Sequence, residues 1–228
     1  MLRTAFARAC AASGTYPALV LHTQRVGSTP AAGILEGFVG KNENTLNTND
    51  AVCTPPEIFE PILAALGPIG FDPCSHPASN VPAATQVLLP RYWTDPDKPP
   101  PSEEQNGETL VLWGSGLDFH WGGMGLVFVN PPYSELSKKP WIAKARDEAD
   151  EAVLFLPVRT AGAWWQDEIT RCQAITFLRG RITHDGETVG APFHQCLVYC
   201  GPRVEQWLPH AVKLGWTVLG MPWARGGA

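Results

Sequence analysis

A short apolar run that ends in two prolines constrains the fold of this chain most strongly. Leu126 to Val129 is β-branched and aromatic, and it is followed directly by Asn130-Pro131-Pro132-Tyr133. Such a run favours a buried strand over a helix. Because proline has a fixed φ and no N–H donor, the chain must leave the sheet at Asn130. We therefore expect the Asn130 amide and the Pro131 carbonyl at the carboxyl edge of the strand, where open α/β sheets bind ligands.

These groups suit a planar exocyclic amine such as the N6 amine of adenine. The Asn130 side-chain oxygen and the Pro131 carbonyl can accept its two N–H bonds and favour a tetrahedral nitrogen. Tyr133 can stack on the face of an unstacked base, because an enzyme that acts on a base must first flip it out or meet it single-stranded. Any strand can end in Asn-Pro-Pro, but a strand before the motif and a helix after it favour the functional interpretation.

Composition excludes a global attraction to DNA. The 228 residues carry a net charge of -5 and a pI near 5.7, so any contact with nucleic acid must come from a local basic patch. The six cysteines form no Cys-x-x-Cys pair, and the histidines complete no zinc-finger spacing. These features predict a cytoplasmic protein with reduced thiols and no metal site. No apolar stretch reaches the length of a membrane span.

The chain divides into two predicted regions. Residues 28–40 have no sustained periodicity, and we expect residues 1–46 to form a poorly ordered N-terminal extension. Since no acidic residue precedes Glu36, the composition also resembles that of a transit peptide. Residues 47–228 form one predicted domain, since their length suits a single core.

The first predicted element of that domain is a helix. Thr54-Pro55-Pro56-Glu57 has the spacing of a capping box, with Thr54 as the N-cap. Gly67-Pro68 then stops the helix.

Strands alternate with helices in the remainder of the domain. Ile69 to Cys74 is a predicted strand and turn, in which Asp72-Pro73 either faces a ligand or simply caps the turn. Residues 94–108 are expected to be an exposed loop. Alternation of strands and helices predicts an α/β sheet that is mostly parallel, with an antiparallel last strand. Further predicted elements are strands at 110–113, 152–156, 174–178 and 195–200 and helices that begin at Pro140 and Ala163.

The order of several separated motifs resembles one known family. These motifs are Thr54-Pro55-Pro56-Glu57, Asp72-Pro73-Cys74, Asp118, Asn130-Pro131-Pro132-Tyr133, Pro157-x-Arg159-Thr160, Trp164-Trp165 and Gly180-Arg181. Together they resemble the phage-type DNA N6-adenine methyltransferases, a compact Dam-like family, between Asn49 and Gly201. The resemblance implies a Rossmann-like methyltransferase fold, S-adenosylmethionine as methyl donor and adenine in double-stranded DNA as acceptor. Protection from restriction is a role that it suggests.

The resemblance also implies site residues. Asn130, Pro131, Pro132 and Tyr133 would hold the adenine, whose amine nitrogen attacks the methyl group in line. The predicted cofactor-binding residues are Thr54, Pro55, Asp72, Pro73 and Asp118. The usual Gly-x-Gly of the cofactor turn is missing from this chain.

The predicted substrate-binding residues are less specific. Arg159 and Arg181 each follow a strand, where a guanidinium can bind phosphate or form a structural ion pair. Trp164 and Trp165 are adjacent in a helix and cannot both face the core, so one is expected to be exposed and could stack on a base. Trp164 is the predicted stacking residue, although simple packing explains it as well.

Other functions use the same groups. RNA adenine, cytosine N4 and a glutamine side chain also present a planar amine to Asn-Pro-Pro-Tyr. A methyltransferase fold that has lost turnover and only binds DNA is the alternative outside the enzymes.

Overall fold

The computed structural model describes residues 53–95, 97–132, 138–183 and 191–220. The predicted N-terminal extension and Tyr133 lie outside the described residues. The α-helices within those ranges are α1 (Pro56–Leu66), α2 (Lys139–Asp147), α3 (Ala163–Glu168) and α4 (Val204–Leu214). The strands are β1 (Ile69–Ser75), β2 (Ala83–Leu88), β3 (Glu103–Asn106), β4 (Thr109–Trp113), β5 (Leu126–Val129), β6 (Glu151–Pro157), β7 (Ala174–Leu178), β8 (Gln195–Cys200) and β9 (Gly215–Leu219).

All nine strands form one sheet in the order β3-β4-β2-β1-β5-β6-β8-β7-β9. The block β4-β2-β1-β5-β6 is parallel, whereas β3, β8 and β9 run antiparallel to each strand with which they pair. The predicted α/β class is confirmed. The prediction of a mostly parallel sheet with a single antiparallel last strand is wrong, because four of the eight strand pairings are antiparallel. Antiparallel neighbours need no long crossover, which suits the short connection between β3 and β4.

The sheet opens beside its central strand. β1 pairs with β2 as far as Ser75, but it pairs with β5 only from Ile69 to Phe71. The chain moves from β1 to β2 on one side, while β5 lies on the other side. A crevice therefore forms between the carboxyl ends of β1 and β5, which is the position where open α/β sheets bind ligands.

Strand residues alternate between two apolar cores, because successive side chains point to opposite faces. Val127 and Val129 pack on the face covered by α2 and α3, whereas Leu126 and Phe128 pack on the face covered by α1 and α4. Helices thus cover both faces, and the carboxyl edge of the parallel block stays accessible. Among the described residues, no helix has the length and apolarity that a membrane-spanning segment requires.

Three local predictions are wrong. The segment 94–108 contains β3, whose four exposed residues pair antiparallel with β4 across a turn at Gly107 (φ 60°). Helix α1 begins at Pro56, and its N-cap is Pro55 without a side-chain cap, so the Thr54 capping box does not form. Trp164 and Trp165 are both buried, because Trp165 packs against Phe177 in β7 and Trp164 packs edge-to-face on Trp165.

Candidate active site

A pocket lies at the carboxyl edge of the four parallel strands β4, β2, β1 and β5. Each strand contributes residues at or just beyond its end, which is why segments distant in sequence meet here. The cleft contains about 450 Å³ of space, part of it open to solvent. Its lining residues are Pro73, Cys74, Ser75, Val87, Leu89, Arg91, Tyr92, Ser115, Gly116, Asn130, Pro132 and Trp141. Of the predicted site residues, the structure thus places Pro73, Asn130 and Pro132 in one pocket.

Asn130 is the first residue after β5 and is held by a residue from the start of the domain. Its Nδ2 donates a hydrogen bond to Thr54 Oγ1 at 3.1 Å. With Nδ2 engaged, Oδ1 is the amide atom left to accept a hydrogen bond from a ligand, and no described residue donates to it. The next residue, Pro131, is buried, while the carbonyl of Pro132 accepts a hydrogen bond from the buried Lys138 ammonium.

Thr54 does not cap α1, and its hydroxyl contacts the site instead. The side chain is 4% exposed and lies between Cys53, whose thiol donates to the Ala78 carbonyl, and Pro55, which is extended at φ -71°. Pro56 follows at the start of α1. Two consecutive prolines limit backbone freedom, so Thr54 is held firmly beside Asn130. Neither Thr54 nor Pro55 lines the pocket itself.

Asp72 lies in β1 beyond the point where the register with β5 ends. Its side chain is 3% exposed, and its Oδ1 accepts a hydrogen bond from the Cys74 N–H at 3.0 Å. Burial raises the pKa of Asp72 to about 7, and the Cys74 hydrogen bond only partly opposes that rise. Within the described ranges no lysine or arginine forms an ion pair with this carboxyl. A buried carboxyl without a cation, next to a crevice, is typical of a functional group.

A tight turn after β4 closes the pocket on the other side. Ser115 Oγ accepts a hydrogen bond from the Leu117 N–H, and Gly116 packs against Pro73. A Cβ at Gly116 would lie 1.9 Å from the Pro73 carbonyl oxygen, so only glycine permits this approach. The buried Trp121 indole donates to the Gly116 carbonyl at 2.9 Å and fixes the turn. Asp118, the predicted cofactor ligand in this turn, is exposed and does not line the pocket.

Arg91 and Tyr92 line the pocket and were missed by the sequence analysis. They follow β2 in a single 3-10 turn, Pro90–Tyr92. The Arg91 guanidinium lies over the Tyr92 ring, 5.2 Å from its centroid. The segment 83–88 was not predicted as a strand. No prediction therefore placed its carboxyl end, which Arg91 and Tyr92 follow, beside that of β1. The alternation of Ala83, Thr85 and Val87 was the available signal.

The predicted substrate-binding residues lie away from the pocket. Arg159 follows β6 and Arg181 follows β7, and both are exposed. β6 and β7 run in the same direction, since β8 is antiparallel to both, so the two arginines lie at the carboxyl edge of the sheet. Trp164 is only 9% exposed and belongs to the apolar core, which leaves little of its ring available to a base.

A comparison with known families finds one match, in the middle of the chain. Residues 113–195 match the family model of DNA N-6-adenine-methyltransferase (Dam). The resemblance to a Dam-like adenine methyltransferase is thereby confirmed for a range that contains Asn130, Arg159 and Arg181. Thr54 and Asp72 precede the matched range. No curated protein and no solved structure matches the chain significantly.

Proposed function

We propose that this protein is an S-adenosylmethionine-dependent DNA methyltransferase with a Rossmann-like fold that methylates N6 of adenine. The observation that supports the proposal most strongly is the geometry of Asn130. It follows β5 and lines the cleft, its Nδ2 donates to Thr54, and no described residue donates to its Oδ1. This residue lies within the range that matches the Dam family model.

The acceptor amine is held by two oxygen atoms of this chain. The adenine N6 amine is a poor nucleophile, because its lone pair is delocalised into the ring. Asn130 Oδ1 and the Pro131 carbonyl would each accept one N–H and stabilise the positive charge that develops on nitrogen. The proton that the methylated nitrogen loses passes to solvent. Positioning contributes most of the rate, since neither a covalent nucleophile nor a strong base is needed.

The pocket fits a cofactor that carries positive charge and an amino-acid group. Asp72 does not line the pocket but directly precedes the lining residues 73–75, and its buried carboxyl has no ion pair with a described lysine or arginine. Residues 73–75 and 115–116 converge where Gly116 packs on Pro73. These segments would replace the missing Gly-x-Gly turn, since two strand ends provide polar backbone groups close together. S-Adenosylmethionine supplies an activated methyl group when it is bound there. Asp72, Cys74 and Ser115 are the residues that we propose to hold it.

Double-stranded DNA is the proposed partner. Arg159, Arg179 and Arg181 are exposed past the ends of β6 and β7, on the same edge of the sheet as Asn130. They supply the local positive charge that an acidic protein needs in order to bind phosphates. We also propose that methylation is site-specific.

Transfer of tritium from labelled S-adenosylmethionine to unmethylated duplex DNA tests the proposal. The wild type should label DNA, and nucleoside digestion should locate the label in N6-methyldeoxyadenosine. Asn130→Ala removes one of two acceptors and should lower the rate by about 100-fold or more. Asn106→Ala is the matched control, because Asn106 is exposed in β3 at the far end of the sheet, and it should leave the rate unchanged.

The same assay, repeated with RNA and with protein as the acceptor, separates the alternatives. Label in N4-methylcytosine, in RNA or in a glutamine side chain would support methyl transfer to a planar amine but would reject adenine in DNA as the acceptor. DNA binding without any transfer would favour an inactive methyltransferase fold. Equal labelling by the wild type and Asn130→Ala would reject the proposed site.

A further inference from the structure

We propose that the exposed indole of Trp216 packs against the sugar–phosphate backbone of duplex DNA, on the flank of the adenine that is methylated. The inference rests on the proposed function and assigns to DNA a surface at the last strand of the sheet. Trp216 is the second residue of β9 and is 71% exposed. An apolar ring of this size left in water costs free energy that a binding partner would recover.

The Trp216 ring is held in place by the sheet beneath it. Trp216 pairs with Phe177 of β7, and the two rings stack with their centroids 5.5 Å apart and their planes at 24°. Phe177 in turn packs on the buried ring of Trp165 in α3, with the centroids 6.2 Å apart. One face of the indole is thus fixed against the protein, and its other face is open to solvent. A ring whose orientation is already fixed loses little conformational entropy when a partner binds.

The direction of β9 brings Trp216 to the carboxyl edge of the sheet. β9 runs antiparallel to β7, and its first residue, Gly215, pairs with Leu178, the last residue of β7. The Arg179 N–H donates to the Leu214 carbonyl at 3.0 Å, so the end of α4 lies beside the residues that follow β7. Trp216 therefore lies near the same edge of the sheet as the proposed active site.

The distance along this edge determines which part of DNA the ring can meet. β9 lies four strand positions from β5 in the sheet, which is roughly 19 Å at the usual spacing. The ring therefore does not contact a base that Asn130 holds, and it would meet the flank of the duplex instead. Bases in the flank remain stacked on one another, and a protein positions itself there on deoxyribose and phosphate. The flat face of the indole suits the apolar face of a deoxyribose.

The charges around Trp216 favour DNA over a second copy of the chain. The segments 179–183 and 212–219 contain no acidic residue and carry three exposed cations, Arg179, Arg181 and Lys213. This local charge is positive although the whole chain carries a net charge of -5. Phosphates complement it. A two-fold symmetric contact centred on Trp216 would instead bring the same cations of two copies together.

Duplex DNA binding by Trp216→Ala and Trp216→Phe tests this surface. Alanine removes the ring, whereas phenylalanine keeps an aromatic face. By fluorescence anisotropy we expect Trp216→Ala to bind about tenfold more weakly than the wild type and Trp216→Phe to stay within about threefold. The slope of log affinity against log salt should not change, because no contact between a cation and a phosphate is lost.

Leu219→Ala is the matched control for the loss of an exposed apolar side chain. Leu219 is 53% exposed on the same strand, but it pairs with Ala174 at the opposite end of β7, away from the carboxyl edge. This variant should bind duplex DNA as the wild type does. An equal loss of affinity in Leu219→Ala and Trp216→Ala would overturn the inference.

Methyl transfer separates a contact with DNA from damage to the fold. In Trp216→Ala the KM for duplex DNA should rise about tenfold, while kcat and S-adenosylhomocysteine binding stay within a factor of about two, because the ring lies far from the reacting atoms. Wild-type affinity and KM for DNA in this variant would overturn the inference. A wild-type dimer that Trp216→Ala dissociates without a change in DNA affinity, measured by analytical ultracentrifugation, would also overturn it. A wild type that binds no duplex DNA at any salt concentration would reject the DNA partner of the proposed function, and this surface with it, which is a different result.

Discussion

Two buried carboxylates at opposite edges of the sheet differ in the groups that surround them. Glu151 opens β6 at the amino edge and accepts hydrogen bonds from the Tyr199 hydroxyl and from Arg203 Nε, the latter at 3.0 Å. Arg203 also donates to the Leu66 carbonyl at the end of α1. Asp72, at the carboxyl edge, has a backbone N–H as its main partner and forms no ion pair with any lysine or arginine that the structure describes.

The difference separates a group that stabilises the fold from one that is available for a ligand. A buried charge is tolerated when a counter-charge and hydrogen bonds compensate for the loss of water. Glu151 meets that condition, and its carboxylate in turn raises the pKa of Arg203. Asp72 does not meet it, and burial raises its pKa to about 7. We infer that a ligand with positive charge supplies what Asp72 lacks.

The largest expected effect is on stability at the amino edge. Arg203→Met leaves Glu151 buried without its cation and should lower the free energy of unfolding by about 3 kcal/mol, the low end for buried pairs because the Arg203 side chain is 40% exposed. Urea denaturation measures the change. Arg171→Met is the control, since Arg171 is 50% exposed and lies 3.7 Å from Glu168, and it should cost less than about 1 kcal/mol. Equal losses in both variants would contradict a special role for the Glu151 cluster.

The next effect is on ligand binding at the carboxyl edge. Asp72→Asn keeps the size of the side chain and removes its charge, so binding of S-adenosylhomocysteine should weaken by roughly 10- to 100-fold without a loss of unfolding free energy. Titration calorimetry measures the affinity. Asp118→Asn is the matched control and should bind nearly as the wild type does, because the Asp118 carboxyl is exposed to solvent whereas that of Asp72 is buried. The opposite ranking would support the sequence-based role of Asp118 over that of Asp72.

A smaller effect is the dependence of stability on pH. The pKa of Asp72 is raised from 3.8 to about 7, so between these values the native state holds a proton that the unfolded state has lost. Stability should therefore fall with rising pH by about 1.4 kcal/mol per unit from this group and level off above pH 7. The difference between Asp72→Asn and the wild type, measured by urea denaturation at pH 5, 6 and 7, should grow in favour of the variant. A constant difference would mean that other groups compensate for the burial of the Asp72 carboxyl.

The sequence predicted the strands that contain an apolar run and missed β3, which contains none. The segments 126–129, 174–178 and 195–200 are strands with the predicted bounds, because buried strands read as continuous apolar runs. β3 consists of four exposed polar residues and forms only because β4 offers an edge to pair with. No local pattern contains that information.

The site was predictable only where a local motif marks its residues, as Asp72-Pro73 does after one predicted strand and Asn130-Pro131-Pro132 after another. Asn130 was identified from the strand and prolines around it. The hydrogen bond between Asn130 and Thr54 and the position of Arg91 in the pocket depend on which strands are neighbours in the sheet. The predicted capping role of Thr54 fits the local spacing, but the structure uses the hydroxyl for a contact 76 residues away.

The smallest expected effect concerns the exposed arginines. Arg181→Ala removes one phosphate contact in the proposed interface and should weaken DNA binding by less than about tenfold, with the slope of log affinity against log salt reduced by about one. Fluorescence anisotropy with labelled duplex DNA at several salt concentrations measures both. Arg171→Ala is the comparison, since Arg171 pairs with Glu168 away from this edge, and its salt slope should equal that of the wild type.

Nucleoside mass spectrometry of DNA from a methylation-deficient host tests the central claim most directly. Cells that express the wild type or Asn106→Ala should contain N6-methyldeoxyadenosine, and cells that express Asn130→Ala at the same level should contain little or none. Unmethylated adenine in the wild-type cells, or the same methylation with Asn130→Ala, would contradict the assignment of adenine methylation to the carboxyl edge of β5.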